Sequence, residues 1–438
     1  MTNVGDRITP QAPPSFGEAL RFWVKLGCIG FGGPTGQIAI MQTELVDRRR
    51  WISGYHFLQA LNYCMLLPGP EAMQLATYVG WLLHRIPGGL VAGAFFVIPS
   101  IFVLLGLSYV YAAFGSVPWI AGLFYGLKPA VLAIVANATI RIGGRALGHP
   151  VKYAIAAVSF GALFFFKVPF PAVILAAAAV GFIGVRWRPA IFAIGSGKDE
   201  TASLLPVTFP SPEHTRPSFA RALRVIAVSL AFWIIPLVVL AIWRGQNDVL
   251  FREGVFFSKA AMVTFGGAYA VLPYVAQQAV EHYGWLTPTQ MIDGLGLAET
   301  TPGPLIMVLQ FVGFMAGWNQ AGDLGLAGAI LGALTATYFT FMPCFLWIFL
   351  GAPYIEQIRT NRTLTGVLSA ITASVVGVVL NLAVWFGINV LIPAGRGIDW
   401  FALGVTAIAF LGMQRFKLDI IPVVAGAAAL GLIYRLLF

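Results

Sequence analysis

Two helix-breaking motifs lie inside apolar sequence in the first half of the chain, and both recur in the second half. The first copy comprises Gly30-Phe31-Gly32-Gly33-Pro34 and Pro68-Gly69-Pro70, and the second comprises Phe265-Gly266-Gly267 and Pro302-Gly303-Pro304. The same offset in numbering (302 − 68 = 234) also separates three further pairs, Lys25 and Lys259, Gly32 and Gly266, and Trp51 and Trp285. Four landmarks in one register predict two structural repeats.

Composition places this duplication in a membrane protein. Apolar residues make up 58% of the chain and charged residues 10%, whereas a soluble domain carries about 25% charged residues. Long apolar runs recur from Leu90 to the C-terminus, without the alternating polarity of a β-barrel. The expected fold class is therefore an all-α polytopic membrane protein. In such proteins, breaks at corresponding places in two halves indicate the binding site of a transporter.

Other function classes find little support in the sequence. Residues Met1 to Pro14 show no cleavable signal, and the net charge of +10 comes mostly from cations between apolar runs, so no nucleic-acid partner is expected. The three cysteines have no paired spacing, and the histidines form no His-Glu pair at helical spacing. The sequence therefore indicates no metal, no cofactor and no catalytic group. It is compatible with a homodimer but does not indicate an oligomeric state.

Each repeat is expected to contain two broken helical hairpin motifs. In the first repeat these are Ser15 to Val46, interrupted at Gly32-Gly33-Pro34, and Tyr55 to Leu83, interrupted at Pro68-Gly69-Pro70. Gly costs about 1 kcal/mol and Pro about 3 kcal/mol inside a helix. Each flank of the second motif is about fourteen residues, roughly 20 Å, too short for a hydrocarbon core of about 30 Å. The motifs are therefore predicted to be re-entrant from the cytoplasmic side, with tips near the midplane.

About four full spans per repeat and one connecting span are expected beside the hairpins. They divide the chain into an N-terminal repeat (15–188), a polar, proline-containing linker (189–220), a connecting span (221–250) and a C-terminal repeat (251–438). The predicted spans Tyr153 to Phe166 and Phe401 to Met413 are short and leave the number of crossings open by one or two. The nine predicted crossings are Gly88 to Ala112, Trp119 to Ile140, Tyr153 to Phe166, Pro169 to Val185, Val225 to Trp243, Leu324 to Leu350, Leu364 to Ile392, Phe401 to Met413 and Ile420 to Leu437.

The distribution of basic residues predicts that the two repeats have opposite orientations. The loop Asp47 to Trp51 carries three arginines, whereas its counterpart, Glu281 to Gly284, carries no Lys or Arg. Conversely, Phe114 to Pro118 is uncharged, whereas its counterpart, Gln357 to Arg362, carries two arginines. Since basic loops stay cytoplasmic, an inverted-topology repeat is expected, with the N-terminus and the linker in the cytoplasm. The second repeat is longer, and the expected place of its insertion is Asn319 to Gly325.

Unwound backbone at the four breaks is the predicted substrate site. Its free N–H groups and the positive ends of adjacent helices can bind an anion, and glycine allows close approach to the backbone. Pro70 and Pro304 are predicted in the first turn of the following helix. The alternative is that these residues only permit tight helix packing. The candidate substrate-binding residues at the breaks are Gly32, Gly33, Pro34, Gly69, Pro70, Gly266, Gly267, Gly303 and Pro304.

Ionisable residues at membrane depth are the next candidates. Lys128 lies inside an apolar run without an acidic neighbour in sequence. It is predicted to neutralise a dianion, unless its side chain reaches the membrane surface. Lys25 and Lys259 each lie two helical turns before a Gly-Gly pair and are predicted substrate-binding entrances, or else ordinary interfacial lysines. Glu299 is the favoured proton-coupling residue and Glu71 the second candidate, although Glu71 also suits charge complementation at a helix N-terminus.

Neutral polar side chains near the breaks are expected to line the site. Such residues often serve only to bond neighbouring helices. Arg141 and Arg145 are interpreted as topology anchors rather than ligands. The candidate lining residues are Asn62, Gln74, Thr264, Thr300, Thr301 and Gln310.

The motifs together resemble those of the chromate ion transporter family in its long two-domain form. The resemblance rests on Phe31-Gly32-Gly33-Pro34 and Leu67-Pro68-Gly69-Pro70 with Gln74, and on Phe265-Gly266-Gly267 and Thr301-Pro302-Gly303-Pro304. It covers nearly the whole chain apart from the linker. It implies an inner-membrane carrier that exports chromate with the proton gradient and confers chromate resistance, with sulfate as a competitor. The sequence departs from symmetry at Ala268, where the first half has Pro34, so the two hairpin tips are expected to differ.

Four function hypotheses remain. The first is a secondary active oxyanion transporter in which one repeat rocks against the other around a site between the hairpins. The second is an importer of sulfate or molybdate, because an inverted repeat works in either direction. A passive anion channel is the third. An intramembrane enzyme is the fourth and has the least support, since His56, His84, His149, His214 and His282 are scattered.

Overall fold

The computed structural model describes residues 14–31, 33–192, 217–355, 361–393 and 397–437. Within these ranges the chain is helical and forms no β-strand. Seven helices there are long and apolar enough to cross a membrane. The predicted all-α membrane fold is therefore confirmed. Gly32, most of the predicted linker (193–216) and most of the predicted basic loop (356–360) lie outside the described residues.

In the first half, α2 continues directly into a π-helical turn, Thr43–Arg48. The longest helix, α4, is bent where His84 and Arg85 have non-helical dihedral angles. The helices of this half are α1 (Phe16–Ile29), α2 (Gly33–Gln42), α3 (Gly54–Cys64), α4 (Glu71–Phe114), α5 (Pro118–Ala146), α6 (Pro150–Phe164), α7 (Phe170–Trp187) and the short α8 (Pro189–Phe192).

A long apolar helix, α9 (Phe219–Arg244), leads into the second half. Here α11 also continues into a π-helical turn, Gln277–His282. The remaining helices are α10 (Val249–Met262), α11 (Ala268–Ala276), α12 (Pro288–Thr300), α13 (Val308–Gln320), α14 (Gly325–Gly351), α15 (Arg362–Leu391), α16 (Trp400–Arg415) and α17 (Ile420–Leu437).

The helices of the second half follow those of the first in the same order and at regular spacings. The π-helical turns are related by the offset of the sequence motifs (277 − 43 = 234), and α16 and α17 are related to α6 and α7 by one common, larger offset (400 − 150 = 250; 420 − 170 = 250). A break around Gly322–Leu324 separates α13 from α14, whereas the equivalent α4 only bends at Arg85. This break lies in the segment predicted to hold the insertion. The opposite orientation of the two halves stays a prediction.

Seven of the nine predicted crossings coincide with the long apolar helices α4, α5, α7, α9, α14, α15 and α17. The other two are α6 and α16, with 15 and 16 residues. At 1.5 Å per residue they span roughly 22–24 Å, less than a hydrocarbon core of about 30 Å. Each packs against the helix that follows it. These two helices are the short spans that leave the predicted number of crossings open.

Helix breaks occur at all four predicted motifs. α1 ends at Ile29 before α2, and α3 ends at Cys64 before α4. In the second half, α10 ends at Met262 before α11, and α12 ends at Thr300. The prolines after the breaks cap the next helix instead of lying in its first turn, so that detail of the prediction was wrong. Both have extended ψ angles of 106° (residue 70) and 134° (residue 304), which the fixed φ of proline permits.

The second hairpin motif of each half begins with a capped helix. Ser53 accepts a hydrogen bond from the N–H of His56, and its counterpart Thr287 accepts one from the N–H of Gln290, each over 3.2 Å. The Gln290 side chain also accepts from the N–H of Thr287 over 2.8 Å. These bonds satisfy N–H groups that have no partner within the helix.

Replacement of Thr287 by alanine is expected to lower the unfolding free energy by about 1 kcal/mol, because the cap of α12 is lost. Thermal denaturation of the purified protein in detergent measures this change. Thr287→Ser should retain the cap, and Thr289→Ala, at an exposed position in the first turn of α12, serves as the matched control. Equal shifts for Thr287→Ala and Thr289→Ala would contradict the assignment.

The long helix α5 and its counterpart α15 each pack against the last two helices of the other half. α5 lies against α16 and α17, and α15 lies against α6 and α7. Glycine permits the closest crossings: a Cβ on Gly126 would meet the carbonyl of Ala427, and one on Gly377 would meet the carbonyl of Ala156. One apolar core therefore runs through both halves, and the helix breaks lie within it.

Candidate functional site

Backbone hydrogen bonds join the helix breaks in pairs, and each pair takes one break from each half. The N–H of Gly69 donates to the carbonyl of Thr264 over 2.7 Å, and the N–H of Gly303 donates to the carbonyl of Gly30 over 2.9 Å. The two donors are repeat partners and so are the two acceptors (303 − 69 = 234; 264 − 30 = 234), so the two bonds are equivalent. Unwound segments leave backbone N–H and C=O groups without partners in a helix. Here the opposite half supplies hydrogen-bond partners for some of these groups. The breaks of the two halves thus come together in pairs.

Gly69 and Gly303 have backbone angles and surroundings that suit only glycine. Their φ angles are +125° and +102°, a region that L side chains rarely adopt. A Cβ at residue 69 would lie 2.8 Å from Sγ of Cys344, and one at residue 303 would overlap Oγ of Ser100. A side chain at either position would therefore disturb both the turn and the helix behind it.

The helices α4 and α14 support the breaks from behind. Oγ of Ser100, in α4 of the first half, donates to the carbonyl of Pro302 in the second half over 2.5 Å. Its counterpart in α14, Cys344, lies beside Gly69. Each support residue follows a proline within its helix. The first half therefore bonds to a break of the second half, and the second half packs against a break of the first half.

Two buried glutamines hold carbonyl groups of the breaks. Nε2 of Gln37 donates to the carbonyls of Gly30 and Gly303 over 2.8 and 2.5 Å. Nε2 of Gln74 donates to the carbonyl of Pro68 over 2.8 Å. Among the described residues, the Oε1 atoms of both glutamines have no hydrogen-bond partner. Gln74 was among the predicted lining residues, whereas Gln37 was missed because its role depends on Gly30 and Gly303, which meet only in the fold.

Glu299 lies at the end of α12 and is buried. The hydroxyl of Tyr269, in the first turn of α11, donates a hydrogen bond to its Oε1. The guanidinium of Arg141 interacts electrostatically with both Glu299 and Tyr269. The favoured proton-coupling candidate is thus bonded between two helix ends that border the breaks.

Glu71 begins α4, and its carboxyl group faces the opposite half. A Cβ on Gly267 would lie 3.2 Å from Oε1 of Glu71. Gly267 is the N-cap residue of α11 and provides no side chain to cap this helix. Because helix N-termini attract negative charge, Glu71 occupies the kind of position predicted for a substrate anion.

Lys128 has an acidic neighbour that sequence order does not reveal. Its Nζ lies 3.8 Å from Oδ2 of Asp293, which also accepts a hydrogen bond from the hydroxyl of Tyr111 over 2.9 Å. Lys128 belongs to α5 of the first half and Asp293 to α12 of the second. The unpaired cation expected from the sequence is therefore paired in the fold. Asp293 was missed although it is an ionisable residue inside an apolar helix, the same signal that singled out Lys128.

The other predicted residues lie at the margins of the paired breaks. Lys25, Lys259 and Asn62 are exposed, as is Gly266, while Gly33 and Pro34 are partly buried. Three predicted lining residues bond to their own helices, since the hydroxyls of Thr264, Thr300 and Thr301 donate to carbonyls of the preceding helical turn. Gln310 instead links α13 to α4 by donating to the carbonyl of Ile101 over 2.9 Å.

The two hairpin tips differ in burial. All nine residues of α11 are buried, whereas Gln37 and Met41 are the buried residues of α2. The difference follows the asymmetry between Ala268 and Pro34 that is visible in the sequence.

Comparison with known proteins identifies the family. A model of the family described as "Chromate transporter" matches residues 17–182 and 252–432. The chain is 30% identical to a chromate transport protein of Pseudomonas aeruginosa over an alignment of 442 residues. The alignment covers 97% of this chain and 94% of the relative. It is 28% identical to one of Cupriavidus metallidurans over 417 residues, with coverage of 95% and 92%. No solved structure shows a significant match. The chain belongs to the chromate transporter family and is a multi-pass membrane transporter rather than an enzyme.

Proposed function

We propose that this protein is a secondary active transporter that exports chromate across the inner (plasma) membrane, uses the proton motive force, and thereby gives chromate resistance. The observation that carries the proposal is the equivalent pair of backbone hydrogen bonds, Gly69 to Thr264 and Gly303 to Gly30. They join unwound segments of both halves, and an alternating-access carrier needs a site formed by parts that move against each other. The relatives named chromate transport proteins supply the substrate class.

The moving parts in this proposal are the two repeats. Residues 251–438 rock against residues 15–188, with 189–220 as a cytoplasmic linker, 221–250 as the connecting span and the N-terminus in the cytoplasm. The repeats are inverted, so each opens the site to one side of the membrane. One chain supplies both halves of the site, so transport does not require a homodimer.

The dianion is proposed to bind against the breaks. The glycine backbone and the N-terminus of α11 offer N–H donors, and Lys128 adds positive charge, with Lys25 and Lys259 at the entrances. Glu71 must move aside or take up a proton when the anion arrives, because its carboxyl group lies beside Gly267. Glu71 and Glu299 are therefore the proposed proton carriers.

The membrane potential favours the outward direction. Moving one charge through 100 mV is worth about 2.3 kcal/mol, so a dianion gains about 4.6 kcal/mol on leaving a cell that is negative inside. Import would need about two accompanying protons merely to cancel this term. Export can therefore draw on both the electrical and the chemical part of the proton motive force.

Transport of radiolabelled chromate by the purified protein in liposomes tests the proposal. Valinomycin with a potassium gradient sets the potential without a pH difference, and a pH jump at clamped potential does the reverse. We expect chromate to move toward the positive side, a pH gradient to change the rate, and sulfate to compete. Accumulation of sulfate or molybdate together with protons would instead indicate an importer. Chromate flux without counterflow against unlabelled chromate would indicate a passive channel.

Replacement of Glu299 by glutamine is expected to remove most of the response to the pH gradient and to leave the response to the potential. Glutamine still accepts the hydrogen bond from Tyr269 but carries no exchangeable charge. The same liposomes measure both responses. Glu281→Gln, at an exposed position of the π-helical turn that follows α11, is the matched control. An unchanged pH response in Glu299→Gln would reject Glu299 as the coupling residue.

A further inference from the structure

The ion pair between Lys128 and Asp293 connects the two halves of the protein at the contact of α5 and α12. This contact is close and apolar, because Gly296 of α12 leaves room for Leu127 and Val131 of α5. Asp293 is 2% exposed, whereas 25% of the Lys128 side chain is exposed. The acid is therefore fixed in the interior, while the lysine reaches accessible space.

The pair is incomplete as a structural ion pair. The distance from Nζ to Oδ2 is 3.8 Å, and Oδ2 is shared with the hydroxyl of Tyr111. Oδ1 of Asp293 is buried and has no hydrogen-bond partner within the described part of the chain. Buried ion pairs that serve only stability have their remaining donors and acceptors satisfied by further hydrogen bonds. The loose geometry instead leaves the Lys128 ammonium free to exchange one anionic partner for another.

We propose that Asp293 is an internal counter-ion that takes the place of the substrate dianion on Lys128 whenever the carrier is empty. The inference rests on the proposed function, since it assigns Lys128 to the anion. In each transport cycle the carrier changes between its inward-open and outward-open states once with the anion bound and once without it. A lysine without a counter-charge at membrane depth opposes the change that occurs without the anion. Asp293 removes this obstacle, and the arriving dianion, with twice the charge, displaces it from Lys128.

Net transport and exchange separate this role from a structural one. Net flux includes the conformational change of the carrier without bound anion. Exchange of labelled for unlabelled chromate requires only the conformational change with the anion bound. For Asp293→Asn, which keeps the shape and removes the charge, we expect net chromate flux to fall by at least about ten-fold and exchange by less than about two-fold. The apparent affinity for chromate should rise, because the internal competitor is gone.

Asp399→Asn is the matched control. Asp399 also accepts a hydrogen bond from a tyrosine of α5, Tyr125, over 2.7 Å, but it has no lysine partner among the described residues. This variant should leave the ratio of net flux to exchange unchanged. Asp293→Glu keeps the charge and should restore net flux relative to Asp293→Asn. If Asp293→Asn fails to insert into the membrane, the smaller Asp293→Ser makes the same test.

Equal losses of net flux and exchange in Asp293→Asn, or in Asp293→Ser where it replaces that variant, would assign Asp293 a structural role and overturn the inference. Unchanged net flux would overturn it as well. A wild-type protein that moves neither chromate nor sulfate in either mode would instead contradict the proposed function, and the inference would fall with it. The three outcomes are distinct because the wild-type protein is measured in both modes.

Discussion

Gly303→Ala is expected to reduce chromate transport by roughly 5- to 150-fold while the protein still inserts into the membrane. A backbone conformation disfavoured for L residues costs about 1–3 kcal/mol, and a cost of this size on the transport-competent state corresponds to such a loss. The new Cβ also overlaps Oγ of Ser100, so the hydrogen bond from Ser100 to Pro302 has to break. Initial rates of labelled chromate uptake into liposomes, with the amount of inserted protein determined in parallel, provide the measurement.

Two further variants separate the backbone effect from the contact. Gly322→Ala also introduces a side chain at positive φ (+57°), but with open space around it, and should leave transport nearly intact. Combining Gly303→Ala with Ser100→Gly removes the overlap and should recover only the part of the loss that the contact causes. Full transport by Gly303→Ala alone would show that the paired breaks tolerate a side chain and are not the site.

Lys128→Ala is expected to lower both net transport and exchange by at least about 100-fold. The substitution removes the proposed cation of the site and leaves the buried carboxyl group of Asp293 without its partner, a change that destabilises buried pairs by about 3–5 kcal/mol. Counterflow and net flux of labelled chromate measure the two modes. Lys167→Ala, at an exposed position between α6 and α7, is the control. Normal transport by Lys128→Ala would reject its role in binding.

Loss of stability and loss of binding are distinguished by a second substitution. In the double variant Lys128→Ala with Asp293→Asn, no buried charge is left unpaired, so the thermal stability should return toward that of the wild-type protein. Transport should remain lost, because no cation replaces Lys128. Recovery of transport together with stability would mean that Lys128 matters only as the partner of Asp293.

The positions of the helix breaks were predictable because their cause is local. Glycine and proline destabilise a helix interior, and where they are clustered, as in Pro68-Gly69-Pro70 and its counterpart, the helix is interrupted in the fold as the sequence predicts. The pairing of the breaks across the halves was not predictable in the same way. The hydrogen bond from Gly303 to Gly30 joins groups that lie in different halves of the chain, and no local rule connects them.

The residues that sequence reasoning missed differ in kind. Asp293 and Glu253 are ionisable residues inside apolar helices, and the criterion that selected Lys128 would have selected them too. Gln37 gave no such signal, because its importance arises only when Gly30 and Gly303 meet around it. Glu253 remains without an assigned role, although both its carboxyl oxygens are buried and have no hydrogen-bond partner among the described residues.

The exchange of packing partners between the halves has a consequence for biosynthesis. Gly126 of α5 packs against Ala427 of α17, and most of the chain has to be synthesised between the two. At the usual rate of protein synthesis, this interval lasts on the order of 15–60 s. Throughout that time the newly inserted first half has an uncovered helix face, occupied by lipid or by the insertion machinery. The contact between α5 and α17 can form only after the last helix has entered the membrane, whereas the residues of the four paired breaks, which end at Pro304, are synthesised well before it.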